Sequence, residues 1–189
     1  MLLKSLRFAV LGALLCLPAV AAPQDPIPDT IPKDLMISLQ RGNCEGGCPV
    51  YRVLIFANGD VIWHGRYRVA NVGVVLSQIE RDQVRALIED FKAIDYFQLD
   101  NIYDYLGPGC RSSAAYKPMV FMSLSMGGLS KTLSHHDGCV GEVSEKLTAL
   151  ENKIDKAVNT ARWITTRTCG VMLATYRHRF EPLVFAAGF

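Results

Sequence analysis

Arg41-Gly42-Asn43-Cys44-Glu45-Gly46-Gly47-Cys48-Pro49-Val50-Tyr51 lies between two apolar runs and decides how they connect. Glycine permits tight and left-handed backbone that other residues resist. Pro49 fixes its own φ and pushes Cys48 toward an extended shape. The stretch therefore reads as a compact, cysteine-pinned turn that feeds a strand. Upstream, 35–39 alternates Leu-Met-Ile-Ser-Leu and reads as a short strand. Downstream, 50–57 is rich in β-favouring Val, Tyr, Leu, Ile and Phe. Asn58-Gly59-Asp60 is a hairpin signal. The return strand, 61–69, places Trp63 and Tyr67 on one face and His64 and Arg66 on the other. Tyr51, Trp63, Tyr67 and Phe121 are expected in the core on the sheet face. A further extended piece is expected at 74–79.

Helical periodicity follows. Val84, Leu87, Ile88 and Phe91 repeat at 3.6-residue spacing, opposite Arg81, Asp82, Arg85, Glu89 and Asp90. Ser77 with Glu80 could form a capping box, but 76–79 also suits a strand end, so the start falls near Glu80. Residues 101–117 read as a loop. Residues 118–125 and 129–136 read as a hairpin about Gly127-Gly128. A second helix is expected over 142–163, with Val143, Leu147, Leu150, Ile154 and Ala157 buried. Hairpins followed by amphipathic helices predict an α+β domain over 35–163. Its mostly antiparallel sheet of about five strands would carry two helices on one face.

The ends read differently. Residues 1–21 have a basic start at Lys4 and Arg7, an apolar run and Ala19-Val20-Ala21. These are the marks of a cleaved export signal, with Ala22 as the mature start. The apolar run is shorter than the roughly 20 residues a span needs, so no membrane span is expected after cleavage. Leu15 before Cys16 argues against lipidation of that cysteine. Location in the periplasm or outside the cell follows as an expectation. Lys4 and Arg7 are the only charges in the signal, and the formal charge is +2, so the mature chain is close to neutral. Composition gives no argument for nucleic acid as a partner. Residues 22–34 form a leader with Pro23, Pro26, Pro28 and Pro32. The tail, 164–189, suits an added strand, a docking segment or a terminus without fixed structure equally well.

Five cysteines survive cleavage: Cys44, Cys48, Cys110, Cys139 and Cys169. Export places them in an oxidising compartment. The four inside the domain allow three pairings, of which Cys44–Cys48 with Cys110–Cys139 is favoured. The glycine-rich turn closes the first pair, and the second hairpin draws the other two together. Cys169 is left free or intermolecular. The competing use is thiol-redox chemistry at Cys44 and Cys48, or zinc held by Cys44, Cys48, Cys139 and one of His135 or His136. The C-x-x-x-C spacing is not the thioredoxin type, and neighbouring strand residues face opposite ways. Ser134 beside His135, His136 and Asp137 lacks the G-x-S-x-G elbow of an activated serine. Histidines at a strand end are expected at the surface. Arg41 is expected to hydrogen-bond carbonyls of the Cys turn. Arg41, Tyr51, Tyr103, Asp104, His135 and His136 are the binding candidates. No catalytic residue, metal or cofactor is assigned.

The string Arg41, Cys44, Gly46, Cys48, Pro49, Tyr51 fits R-x-x-C-x-G-x-C-P-x-Y, followed by a strand and a glycine-centred hairpin. In this the chain resembles the bacterial domain-of-unknown-function family 6438, from about residue 35 to 163. The resemblance implies domain limits and no activity, substrate or cofactor. The leading reading is a non-enzymatic envelope domain that binds a protein or small ligand through its sheet face or Cys turn.

Overall fold

Alternation of apolar and polar side chains lays down the sheet, and the two helices then close one of its faces. The computed structural model describes residues 30–104, 107 and 109–164. Residues 1–29, which include the segment read as an export signal and most of the leader, and residues 165–189 with Cys169 lie outside the described residues. Strand β1 (Met36–Arg41) leads through the Cys turn to β2 (Val50–Phe56), β3 (Asp60–Tyr67) and β4 (Gly73–Gln78). Helix α1 (Arg81–Ala93) and a single 3-10 turn (Tyr96–Gln98) follow. After the short strands β5 (Ile102–Tyr103) and β6 (Ser112–Ser113) come the hairpin strands β7 (Met119–Met126) and β8 (Leu129–His136). The described residues close with β9 (Cys139–Val140), α2 (Glu142–Val158) and the one-turn α3 (Ala161–Ile164).

Among the described residues the main sheet has seven strands in the order β4-β3-β2-β1-β7-β8-β5, and β6 with β9 forms a separate ribbon. All neighbours in the main sheet are antiparallel except β5 on β8. The α+β class stands as read, with more strands than about five. The extra ones, β5, β6 and β9, are two residues each and come from loop and turn sequence. Pairings that short leave no periodic pattern to read.

Ile37, Leu39, Val53, Ile55, Val61, Trp63, Met122, Leu124 and Leu133 face inward and are buried against both long helices. Gly59 at the first hairpin tip has φ +91°, which a residue with a Cβ adopts only under strain. At the second tip Gly127 and Gly128 donate their N–H groups to the Asp34 carboxylate at 3.0 and 3.1 Å. These two bonds hold the Asp34 carboxyl below the usual carboxylate range.

The structure corrects several details. The capping box of α1 is Glu80 with Gln83, whose Oε1 accepts the Glu80 N–H at 3.0 Å. The second helix does not run unbroken to residue 163. Asn159 turns left-handed at φ +57°, and Thr160 N–H reaches back to Asp155 C=O at 3.0 Å, a Schellman-type stop. Tyr67 and Phe121 are 50% and 41% exposed and are not core. A register shift at Val50/Tyr51, opposite Gly65–Tyr67, puts Tyr67 out of phase. Phe121 alternates against Val120 and Met122, which take the inner face of β7. Among the described residues no helix is long and apolar enough to cross a membrane.

Candidate functional site

Register places the site. Gly65, Tyr51, Arg41, Val120, His135 and Tyr103 are successive partners across six strands. They form one row on the inner face, and the row carries four of the six binding candidates. Helix α2 runs over it. Glu151 and Asp155 stand one turn apart on α2, which aims both carboxylates at the same sheet row.

The resulting cluster is tightly paired. Arg41 Nε donates to Asp155 Oδ2 at 2.8 Å, and its Nη2 donates to Asn152 Oδ1 at 3.2 Å. Its Nη1 lies 3.6 Å from Glu151 Oε2. Tyr51 Oη donates to Asp155 Oδ1 at 2.8 Å, which also accepts from Thr160 Oγ1 at 3.1 Å. His135 Nδ1 stands 2.8 Å from Glu151 Oε1, with both side chains wholly buried. One proton serves that contact. Tyr51 also stacks on Trp63 at 4.6 Å between ring centroids, and Trp63 packs on Trp163 at 5.0 Å.

Burial shapes the charges. It raises the Glu151 carboxyl above its usual range, against the opposing pull of His135 and Arg41. Burial works against the Arg41 charge, but Asp155, Tyr51 and Glu151 outweigh it and hold the guanidinium more firmly protonated. Burial, then the Asp155 charge, pushes the Tyr51 phenol up. Two buried polar atoms have no hydrogen-bond partner among the described residues: His135 Nε2 and Glu151 Oε2.

Arg41 is therefore not the partner of the Cys-turn carbonyls. It shares the inner face with Ile37 and Leu39, so β1 points it at α2. Arg68 takes the expected role instead, with Nη1 3.3 Å from Gly47 C=O. The two histidines are not at the surface either. His135 faces Glu151, while His136 Nδ1 accepts the Gly138 N–H at 3.2 Å and meets Ser113 Oγ at 3.1 Å. Tyr103 is buried, and its Oη accepts the Asp100 N–H at 2.9 Å. Asp104 C=O accepts the Gly107 N–H at 3.0 Å, a turn contact away from the cluster. Glu151 and Asp155 were absent from the sequence candidates. The signal was available: Glu151 follows Leu147 by four residues and precedes Val158 by seven, which puts it in the buried stripe.

The four cysteines among the described residues form two separate pairs. Cys44 and Cys48 are joined with Cα atoms 5.2 Å apart, and Cys110 and Cys139 with Cα atoms 5.3 Å apart. Gly46 and Gly47 close the first loop at φ +85° and +82°. Cys44, Cys48, Cys139 and a histidine are thus not brought together. Among the described residues no group of three or more His, Cys, Asp or Glu is arranged to hold a metal ion.

A cleft of about 270 Å³ opens where the charge cluster meets solvent. Cys48 and Pro49 of the Cys turn line it together with Arg41, Tyr51, Asp155, Lys117 and Asp137. The arrangement offers fixed donors and acceptors of both signs.

Fold and site define a disulfide-pinned, two-layer α+β domain whose central charge cluster joins a sheet to its covering helix. A family model matches residues 35–158, and the chain belongs to that family, Domain of unknown function (DUF6438). No curated protein matches the sequence.

Proposed function

We propose that this chain is an exported, non-enzymatic module of the cell envelope that binds a small zwitterion or a short protein segment in the cleft beside the Cys44–Cys48 turn. One observation carries the reading. Lys117 and Asp137 line the cleft together with Arg41 and Asp155, so cationic and anionic groups share one small opening. Opposed charges at fixed positions match a ligand with an amino and a carboxylate end. The walls are held by the disulfide and by the Asp155 contacts, so binding requires little reordering. Export rests on the basic, apolar and A-x-A segments of residues 1–21.

Isotope-labelled mature protein titrated with free amino acids and dipeptides tests the binding reading. Amide shifts confined to residues around Lys117, Asp137 and Asn152 are expected, and they should vanish in Lys117→Ala. An unshifted cleft, or chemical turnover of any probe, overturns the proposal. Intact mass of the chain recovered from the periplasmic fraction tests export. A mass that retains residues 1–21 refutes it.

A further inference from the structure

The opposite end of the sheet carries a second cavity with different chemistry. A groove of about 830 Å³ runs beside the β2–β3 hairpin. Phe56, Ile62 and Leu76 line it from three adjacent strands, and Ile31 adds an apolar wall from the segment before β1. Phe56, Ile62 and Leu76 belong to the outer sheet face, which neither helix covers. Leu76 is 74% exposed, and its neighbour on that face, Val74, is 64% exposed. Exposed apolar surface that adjoins a groove of this size is a feature of ligand sites.

Charge decides what kind of ligand fits. Lys33 and Arg81 both border the groove. Neither forms a side-chain hydrogen bond or ion pair among the described residues. Asp60 also lines the groove, Glu80 precedes Arg81, and both carboxylates are hydrogen-bonded. Asp60 accepts from Asn58 Nδ2 at 2.6 Å and from Gln78 Nε2 at 3.4 Å. The Glu80 side chain accepts the backbone N–H of Gln83 in the α1 cap. The groove thus combines an apolar lining with two uncommitted cations. Arg81 also opens α1, where the positive helix end adds to its field.

We propose that this groove binds a single-chain amphiphile with an anionic head, of which a long-chain fatty acid is the simplest example. The chain lies along Phe56, Ile62 and Leu76, and the head group meets Lys33 and Arg81. The proposal is independent of the cleft beside the Cys turn, so either site can fail without the other.

Palmitate, kept below its micelle concentration, is the probe for the mature chain, read by isothermal titration and amide shifts. Saturable binding is expected, with shifts at Ile62 and Leu76. Hexadecanol and acetate separate chain from head, and both should bind far more weakly. Lys33→Ala with Arg81→Ala should weaken palmitate about tenfold or more. Ile62→Asp should abolish binding while circular dichroism stays unchanged, because Ile62 faces outward. Equal affinity for palmitate and hexadecanol overturns head-group recognition. Undiminished binding to Ile62→Asp removes the ligand from this groove. Three further results also overturn the proposal: no saturable binding, binding only to vesicles, or binding that appears only when the chain starts at Thr30. The last would make the leader the native occupant.

Discussion

Helices α1 and α2 lie on the same sheet face and belong to one core, yet they bury different chemistry. The buried residues of α1 are Val84, Leu87, Ile88 and Phe91. Those of α2 are Leu147, Leu150, Ile154 and Val158, with Ser144 and Glu151 among them. Ser144 is satisfied by donating to Cys139 Sγ at 2.9 Å. Glu151 meets His135 and Arg41. Apolar contact is non-directional, so the α1 stripe fixes which face is buried and leaves position along the sheet to packing detail. The α2 carboxylates have named partners on three strands and hold the helix at one register. That division assigns the buried ion pairs to register more than to bulk stability.

The largest expected effect tests it directly. Glu151→Ala leaves Arg41 short of one carboxyl group and His135 Nδ1 without its partner, and should lower stability by about 3–5 kcal/mol. Phe91→Ala on α1 should lose a similar amount, about 3–5 kcal/mol, through a cavity alone. Replacing Arg41, Glu151 and His135 together by apolar residues separates the two causes. If the cluster serves register, the triple variant keeps its stability but broadens the amide spectrum around α2. A triple variant as sharply folded as the parent would sink the hypothesis.

The Cys turn reinforces the α2 side, because it fixes the entry to β2 just before Tyr51. Chain entropy for so short a loop predicts about 2 kcal/mol lost in the Cys44→Ala, Cys48→Ala double variant, with the fold retained. Denaturant titration measures the loss. Thiol alkylation and metal analysis of non-reduced parent protein check the pairing, and free thiols or bound zinc would refute it.

Tyr51→Phe removes one hydrogen bond to Asp155 and keeps the ring on Trp63. About 1 kcal/mol is expected, and Arg41 and Thr160 keep Asp155 partnered. A loss near that of Glu151→Ala would mean that Asp155, not Glu151, anchors the helix.

The smallest effect is a slope. Burial raises the Glu151 pKa, so the folded state retains that proton at a pH where the unfolded chain releases it. The resulting stability is fully present below the unfolded value near 4.5 and is lost as pH rises through the folded value. Parent minus Glu151→Gln stability should therefore fall as pH rises above about 4. A rising difference would show that His135 and Arg41 outweigh burial.

Sequence reading reached α1, both hairpins and both cysteine pairs because each has a cause legible along the chain: a 3.6 period, a turn residue, a short loop, or a hairpin that brings its two ends together. It missed what depends on neighbours distant in sequence. Arg41 looked like a turn residue until its parity with Ile37 and Leu39 was followed onto α2. Glu151 was passed over because Leu150 beside it filled the stripe. His135 looked exposed at a strand end, since nothing local shows that a helix covers it. Asn159 carried a legible stop signal, as asparagine often ends helices in the left-handed conformation.

The place of β1 has a further consequence, for the order of events in time. It is the first strand of the domain, yet it lies in the middle of the sheet, with Leu39 opposite Val53 on one side and Met122 on the other. The partner on the first side follows within a short loop. The partner on the second side comes only after β4, α1 and the whole connection to β7. A chain emerging N-terminus first therefore holds a half-sheet with one raw edge until β7 arrives. Such an edge can recruit a foreign strand while it waits. Closure of β7 on β1 is the long-range step that should limit folding. Pulse-labelled hydrogen exchange should then protect Val53 and Val61 before Met122, whereas simultaneous protection would show that the sheet assembles in a single step.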